Sequence, residues 1–253
     1  MSGTAFIKPV TINAPGKAVV FDGCDFTKEA LVVITDAEEV TFKNCRFYDL
    51  IPSSAKTYGI KMPAAAEVKL VIEGCFFGDN PSNEVGKMYN LIELAGKLKD
   101  GSSISKNYFT AGCCTHNQIN VYDASEDAVI ALNHNEAEYS ANLVRLGLKG
   151  SPKCTINMIG NIYDQTEAGE YAGLLLIQPY GAQTVSMNDL VVNLSGTLNR
   201  SGIEQELYLY SNPSDTQYHI ETNYPKVYVN GELTTDIYAA GGTKIGGLEE
   251  SEA

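Results

Sequence analysis

Val19-Val20-Phe21-Asp22-Gly23-Cys24-Asp25-Phe26 is followed by Val40-Thr41-Phe42-Lys43-Asn44-Cys45-Arg46-Phe47 and then by Val71-Ile72-Glu73-Gly74-Cys75-Phe76-Phe77. The shared pattern is apolar, x, Gly or Asn, Cys, x, Phe. Further on, asparagine replaces cysteine in Ile104-Ser105-Lys106-Asn107-Tyr108-Phe109, Leu132-Asn133-His134-Asn135-Glu136-Ala137 and Ile159-Gly160-Asn161-Ile162-Tyr163. Leu194-Ser195-Gly196-Thr197-Leu198 reads as a degenerate further copy. The key positions 24, 45, 75, 107, 135, 161 and 196 are 21, 30, 32, 28, 26 and 35 residues apart. Between copies lies a second short β-prone run, such as Leu31-Val32-Val33-Ile34, Leu91-Ile92-Glu93-Leu94, Ile119-Asn120-Val121-Tyr122, Leu143-Val144-Arg145-Leu146 and Leu174-Leu175-Leu176-Ile177. Each repeat therefore carries at least two strands and no helical periodicity.

Strands this short cannot bury a face alone, so successive repeats must stack and pair in parallel. The expectation is an all-β chain: a right-handed, single-stranded parallel β-helix of about seven coils with terminal caps. Stacking explains the special position. Asn107, Asn135 and Asn161 can hydrogen-bond along the axis, while Cys24, Cys45 and Cys75 act as small buried hydrophobes, making one structural ladder. Phe26, Phe47, Phe77 and Phe109 are expected to stack inside. A leucine-rich repeat also fits Val40–Phe47, but the drifting repeat length and the second strand in each repeat count against it.

At 253 residues, with 44% hydrophobic and 19% charged residues, the chain has the composition of a folded protein rather than a disordered one. Eighteen Lys and Arg against 31 Asp and Glu give a net charge of -13. Nucleic acid and anionic membrane surfaces are therefore not expected as partners, since both are bound through clustered positive charge. The opening residues Met1 to Pro9 lack the basic and apolar segments of a signal peptide, so folding in the cytoplasm and reduced cysteines are expected. Six cysteines without a CxxC spacing do not point to zinc.

The ends of a solenoid need covering. The expected division is an N-terminal cap over residues 1–18, a β-helix over 19–212, a C-terminal cap or hairpin over 213–238, and a flexible Gly-rich acidic tail over 239–253. Tyr208, Tyr210, Tyr218, Tyr224, Tyr228 and Tyr238 gather near that end and mark a candidate interface, because tyrosine buries a large area with a polar tip.

Over roughly residues 10–210, the repeat length and the Cys/Asn ladder resemble the right-handed β-helix, pectate-lyase-like superfamily. That resemblance implies the fold and not the activity. The lyases of that group use a calcium-holding acidic cluster with an Arg or Lys base, and its hydrolases carry N-x-D, D-D, G-H-G and R-I-K motifs; the last three are absent here. Arg145 is the only arginine in a strand-like run, and its plainer reading is a solvated charge. Carboxylates cluster at Asp123, Glu126 and Asp127, at Glu136 and Glu138, and at Asp164, Glu167 and Glu170, but nothing in the sequence fixes the separation that glycoside hydrolysis requires. His116, His134 and His219 lack ligand spacing, and Cys113-Cys114-Thr115-His116 lacks the basic setting of a catalytic thiol. No catalytic residue, metal or cofactor is expected.

The profile also resembles bacteriophage capsid-decorating or fibre-type β-helix proteins. It implies a non-enzymatic virion structural protein, folded in the host cytoplasm and then displayed on the virion surface, whose partner is a protein assembly such as a phage capsid or tail. The alternative is a polysaccharide-binding or depolymerising spike that meets a cell-surface glycan through the loops at 123–138 and 164–170.

Overall fold

The computed structural model describes residues 1–54, 56–78, 88–110, 113–138, 142–147, 151–164, 173–178, 186–200, 207–209, 225–234, 237–238 and 244–245. Among these residues there is no helix, and hence none long and apolar enough to cross a membrane. The strands form one sheet of 8 and one of 17, and nearly every pairing is parallel with the strand one repeat further on. The architecture is parallel β-helix-like.

Three walls are distinguishable from the pairing. The first contains the second half of Val10–Asp22, the second half of Val32–Lys43, then Glu67–Glu73, Ser103–Ser105, Val129–Ala131, Thr155–Ile159, Val191–Ser195 and Lys226–Val229. The second contains the first halves of those two long strands, followed by Tyr58–Met62, Asn90–Leu98, Asn117–Ala124, Asn142–Leu146, Gly173–Ile177 and Leu207–Leu209. The third is the 8-stranded sheet, from Ala5–Phe6 and Asp25–Lys28 to Ile162–Asp164 and Leu198–Asn199. Its strands are two to five residues long, which is why periodicity alone shows two strands per repeat and not three.

The bend from the first wall to the third is a left-handed residue at the same level in every turn. Gly3, Gly23, Asn44, Gly74, Lys106, His134, Gly160 and Gly196 all have φ between 51° and 63°. Glycine and asparagine tolerate that region, and Lys106 and His134 occupy it at a steric cost of about 1 kcal/mol each. This row also corrects the register of the last copy. Gly196 belongs to the left-handed row, and Leu198 pairs with Ile162, so Thr197 lies opposite Asn161.

The core follows from strand alternation. In the first wall Phe42, Ile72, Ile104, Leu132, Met158 and Leu194 face inward. From the third wall Phe6, Phe26, Phe47, Phe77 and Phe109 stack with ring centroids 4.5 to 4.9 Å apart. Phe21 and Phe42 meet this stack edge-on, at 5.6 to 5.7 Å from Phe26 and Phe47. Parallel in-register pairing imposes the inter-strand repeat of about 4.8 Å on the rings, within the range preferred by aromatic pairs.

The outer faces of the walls differ. On the first wall the middle outward row is Val20, Thr41, Val71, Ser103, Ala131, Asn157, Asn193 and Tyr228, all half-buried or exposed. On the second wall the outward Leu91, Gln118, Asn120, Leu143 and Leu174 are buried, as are the inward Ile92, Ile119 and Val144.

Candidate functional site

The positions singled out by the repeat form a continuous interior chain of hydrogen bonds. Asn107, Asn135 and Asn161 donate from Nδ2 to the carbonyls of Ile72, Ile104 and Leu132, at 2.8 to 3.1 Å. Their Oδ1 atoms accept the backbone N–H of the preceding member, Cys75, Asn107 and Asn135 respectively, at 2.8 to 3.1 Å. Cys24, Cys45 and Cys75 donate from Sγ to the equivalent carbonyls of Met1, Phe21 and Phe42, at 3.4 to 3.7 Å. Thiol and amide therefore serve one acceptor row, although a thiol lacks the strong acceptor that Oδ1 supplies to the level above.

All six cysteines are buried free thiols. Burial holds the Cys154 thiol up at about 11, with the nearby Asp123 charge adding to the shift. Cys45 and Cys75 interact directly, and the hydrogen bond to Cys45, reinforced by burial, pushes the Cys75 thiol upward. The same hydrogen bond lowers the Cys45 thiol, against the effect of burial, but Cys45 is fully buried, so no reagent reaches it. Among the described residues no group of three or more His, Cys, Asp or Glu is placed to hold a metal ion.

A second asparagine ladder stands where the second wall begins. Asn117 donates from N and Nδ2 to Asn90 Oδ1 at 3.0 and 2.8 Å, and Asn142 Nδ2 donates to Asn117 Oδ1 at 3.1 Å. Sequence reasoning missed it, although a signal was present: Asn90-Leu91-Ile92-Glu93-Leu94, Asn117-Gln118-Ile119-Asn120-Val121 and Asn142-Leu143-Val144-Arg145-Leu146 share one pattern.

Arg145 is half-buried on the outer face of that wall, in register with Asn120, which is in register with Glu93. Its Nε donates to Gln178 Oε1 at 2.7 Å and its Nη1 to the Tyr122 hydroxyl at 3.3 Å. Glu93 is only 6% exposed and accepts Asn90 Nδ2 and Asn120 Nδ2 on Oε2, each at 2.8 Å. The two amide donors supply hydrogen bonds that a buried carboxylate would otherwise lose with its water. Burial raises the Tyr122 hydroxyl, and the Glu93 charge adds to this. At the edge of the wall His116 packs on Tyr89 with centroids 4.0 Å apart, and Tyr89 meets Tyr58 edge-on at 6.4 Å. Burial, then the Arg145 charge, lowers the His116 imidazole. Lys56 lies 5.9 Å from the Tyr89 centroid and Lys61 lies 5.4 Å from that of Tyr58. Carboxylate, guanidinium, amides and phenol rings thus share one face; Glu93 was read only as part of an apolar run.

Among the described residues, the acidic loops do not make a second such cluster. Glu126 and Asp127 are exposed and share Lys153 at 2.8 and 3.5 Å, which holds the Glu126 carboxyl below its usual range. Glu136 pairs with Arg200 at 2.9 Å, and Glu138 accepts the Tyr108 hydroxyl. Asp164 lies in a strand of the third wall, whereas Glu167 and Glu170 lie outside the described residues. His134 occupies the left-handed row, and His219 lies outside the described residues.

Of the tyrosines, Tyr228 is half-buried in the last first-wall strand, and the backbones of Tyr208 and Tyr238 pair in parallel. Tyr210, Tyr218 and Tyr224 lie outside the described residues. Comparison with protein-family models, curated proteins and solved structures yields no match.

Proposed function

We propose that the chain is a non-enzymatic structural or attachment module of the virion kind. In this reading it is a right-handed, single-stranded β-helix of about seven coils over residues 19–212. Residues 1–18 and 213–238 form its ends, and 239–253 its tail. It folds in the host cytoplasm and docks on a protein assembly such as a phage capsid or tail, with the tyrosine-rich end as one contact.

The observation that carries this reading is how the surface charges are used. Lys8 with Glu29, Lys69 with Glu39, Lys106 with Glu73, Lys153 with Glu126 and Arg200 with Glu136 all join different levels of the stack. Exposed pairs of this type contribute little to stability and weaken with salt. Their common direction matters more, since carboxylates spent on bracing neighbouring levels are not converging on a substrate. Electron cryomicroscopy of native particles, from cells expressing the protein with its genomic neighbours, tests the reading. Density at regular positions on a shell or tail supports it, and recovery of the protein only as a free species rejects it.

A second reading, polysaccharide recognition, is favoured by the Glu93–Asn120–Arg145 row and the neighbouring phenol rings rather than by the acidic loops. Guanidinium, lysines and tyrosine faces suit an acidic saccharide. Calorimetric titration with acidic and neutral polysaccharides is expected, on this reading, to show binding that Arg145→Ala weakens at least tenfold. Absence of heat across both panels, or binding indifferent to Arg145→Ala, removes the reading.

A further inference from the structure

We infer that the outer face of the first wall is the contact surface between two copies of the chain, arranged in parallel about a two-fold axis that runs along the stack. The inference is independent of any virion role.

Three observations converge on this face. Its middle outward row is half-buried or exposed at every level, whereas on the second wall the outward Leu91, Glu93, Gln118, Asn120, Leu143 and Leu174 are buried. The face is also close to neutral, although the whole chain carries -13. The three outward rows hold Asp22, Glu39 and Glu73 against Lys43, Lys69 and Lys226, and the exposed Glu67 at the start of its strand adds one acid. Four acids against three bases leave only a small excess, so this is where two such acidic chains can approach with little mutual repulsion. Finally, the middle row is entirely uncharged and, before Tyr228, consists of short side chains. Several of its polar groups bond within the face, as in Asn193 Nδ2 to Asn157 Oδ1 at 2.8 Å, Ser103 with Ser105 at 2.8 Å and the Thr41 hydroxyl to Glu39 at 3.1 Å. A row of short, uncharged side chains that partly bond one another lets a second flat surface approach closely.

The symmetry follows from where the charges sit. Glu39 and Lys69 lie in the row on one side of the middle row, and Lys43 and Glu73 lie in the row on the other side, at the same two levels. A two-fold axis parallel to the stack, lying between two such faces, brings each flanking row against the opposite flanking row at the same level. Glu39 then faces Lys43 of the second copy, and Lys69 faces Glu73 of the second copy. Further along, Val129 and Ile159, both exposed, meet the uncharged row across from them. No like charges meet within the outward rows. An isologous contact of this kind closes the assembly at two.

The middle row spans seven inter-strand steps of about 4.8 Å, roughly 34 Å, and the outer rows are about 13 Å apart. With marginal side chains the face offers on the order of 600 Å² per copy, or about 1,200 Å² in total, at the lower limit of stable interfaces. A reversible dimer in the micromolar range is therefore expected.

Sedimentation velocity of the full chain between about 1 and 200 µM reads the equilibrium directly. The wild type is expected to pass from monomer to dimer. Lys43→Glu sets Glu39 against a glutamate, and Glu39→Lys sets a lysine against Lys43, so each variant alone is expected to dimerise at least tenfold more weakly. An equimolar mixture restores both facing pairs and is expected to recover the wild-type dimer. Circular dichroism melting confirms that each variant is folded, and Asn157→Arg, which sets like charges together near the axis, replaces any that is not. A wild type monomeric to 200 µM, a trimer, or failure of the mixture to recover overturns the inference.

Discussion

Asn135→Ala is expected to lower the unfolding free energy by about 3–5 kcal/mol, read as a shift of the urea midpoint at constant slope. Asn135 Oδ1 accepts both Asn107 N at 3.1 Å and Asn107 Nδ2 at 3.0 Å, and its Nδ2 donates to the Ile104 carbonyl at 2.8 Å. Alanine removes all three bonds in an interior that water does not reach. Each buried polar group stranded in this way costs about 1–3 kcal/mol, far more than the net value of a bond between exposed groups. Asn107 Nδ2 keeps its bond to Ile72 O, which sets the upper bound below a simple sum. Asn135→Cys provides the internal control. A thiol reproduces the donor, as Cys45 and Cys75 do toward Phe21 and Phe42, but not the strong acceptor, so about half of the loss is expected. Equal harm from alanine and cysteine, or a cost for alanine under about 1 kcal/mol, would show that the ladder does not support the stack.

This ladder was legible because its parts are contiguous: a left-handed residue, a small polar residue and an aromatic one fall within a few positions and recur. The limits of that legibility have physical causes. Gly196 and Thr197 are both small, and only the backbone dihedral and the Leu198–Ile162 pairing decide which of them occupies the ladder level. The third wall is built from strands as short as Phe76–Phe77, too brief to show alternation. Phe6 belongs to the ring stack, but its repeat lacks the cysteine or asparagine that marks the others. Glu93 was hidden for a different reason. A charge within Leu91-Ile92-Glu93-Leu94 looks like an ordinary solvent-facing strand residue, and its burial depends on Asn90 and on Asn120, a strand away, which sequence alone does not bring near it. Arg145 has the same character: its partners Tyr122 and Gln178 belong to the repeats on either side.

Phe47→Ala is expected to have the other large effect, about 3–5 kcal/mol, because a buried ring is lost from the middle of a stack. Phe47 is 1% exposed, and its centroid lies 4.5 Å from Phe26, 4.9 Å from Phe77 and 5.7 Å from Phe42. The rings above and below are tied to strands whose spacing is fixed by backbone pairing, so they cannot close the gap, and the cavity term is felt nearly in full. Phe6, half-buried at the end of the same stack with Phe26 on one side, provides the comparison. Phe6→Ala is expected to cost about 1–2 kcal/mol, since less area is lost and the site can relax toward solvent. The difference has a spatial consequence that a single stability value does not capture. In a solenoid each level is stabilised mainly by its neighbours, so a cavity at Phe47 weakens the coupling between the levels before it and those after it. Hydrogen exchange should then show amides of Val10–Asp22 and Asp25–Lys28 opening well before those of Ser103–Ser105 and Val129–Ala131. Uniform acceleration across all levels, or equal costs for Phe6→Ala and Phe47→Ala, would contradict a core that transmits stability level by level through its stacked rings.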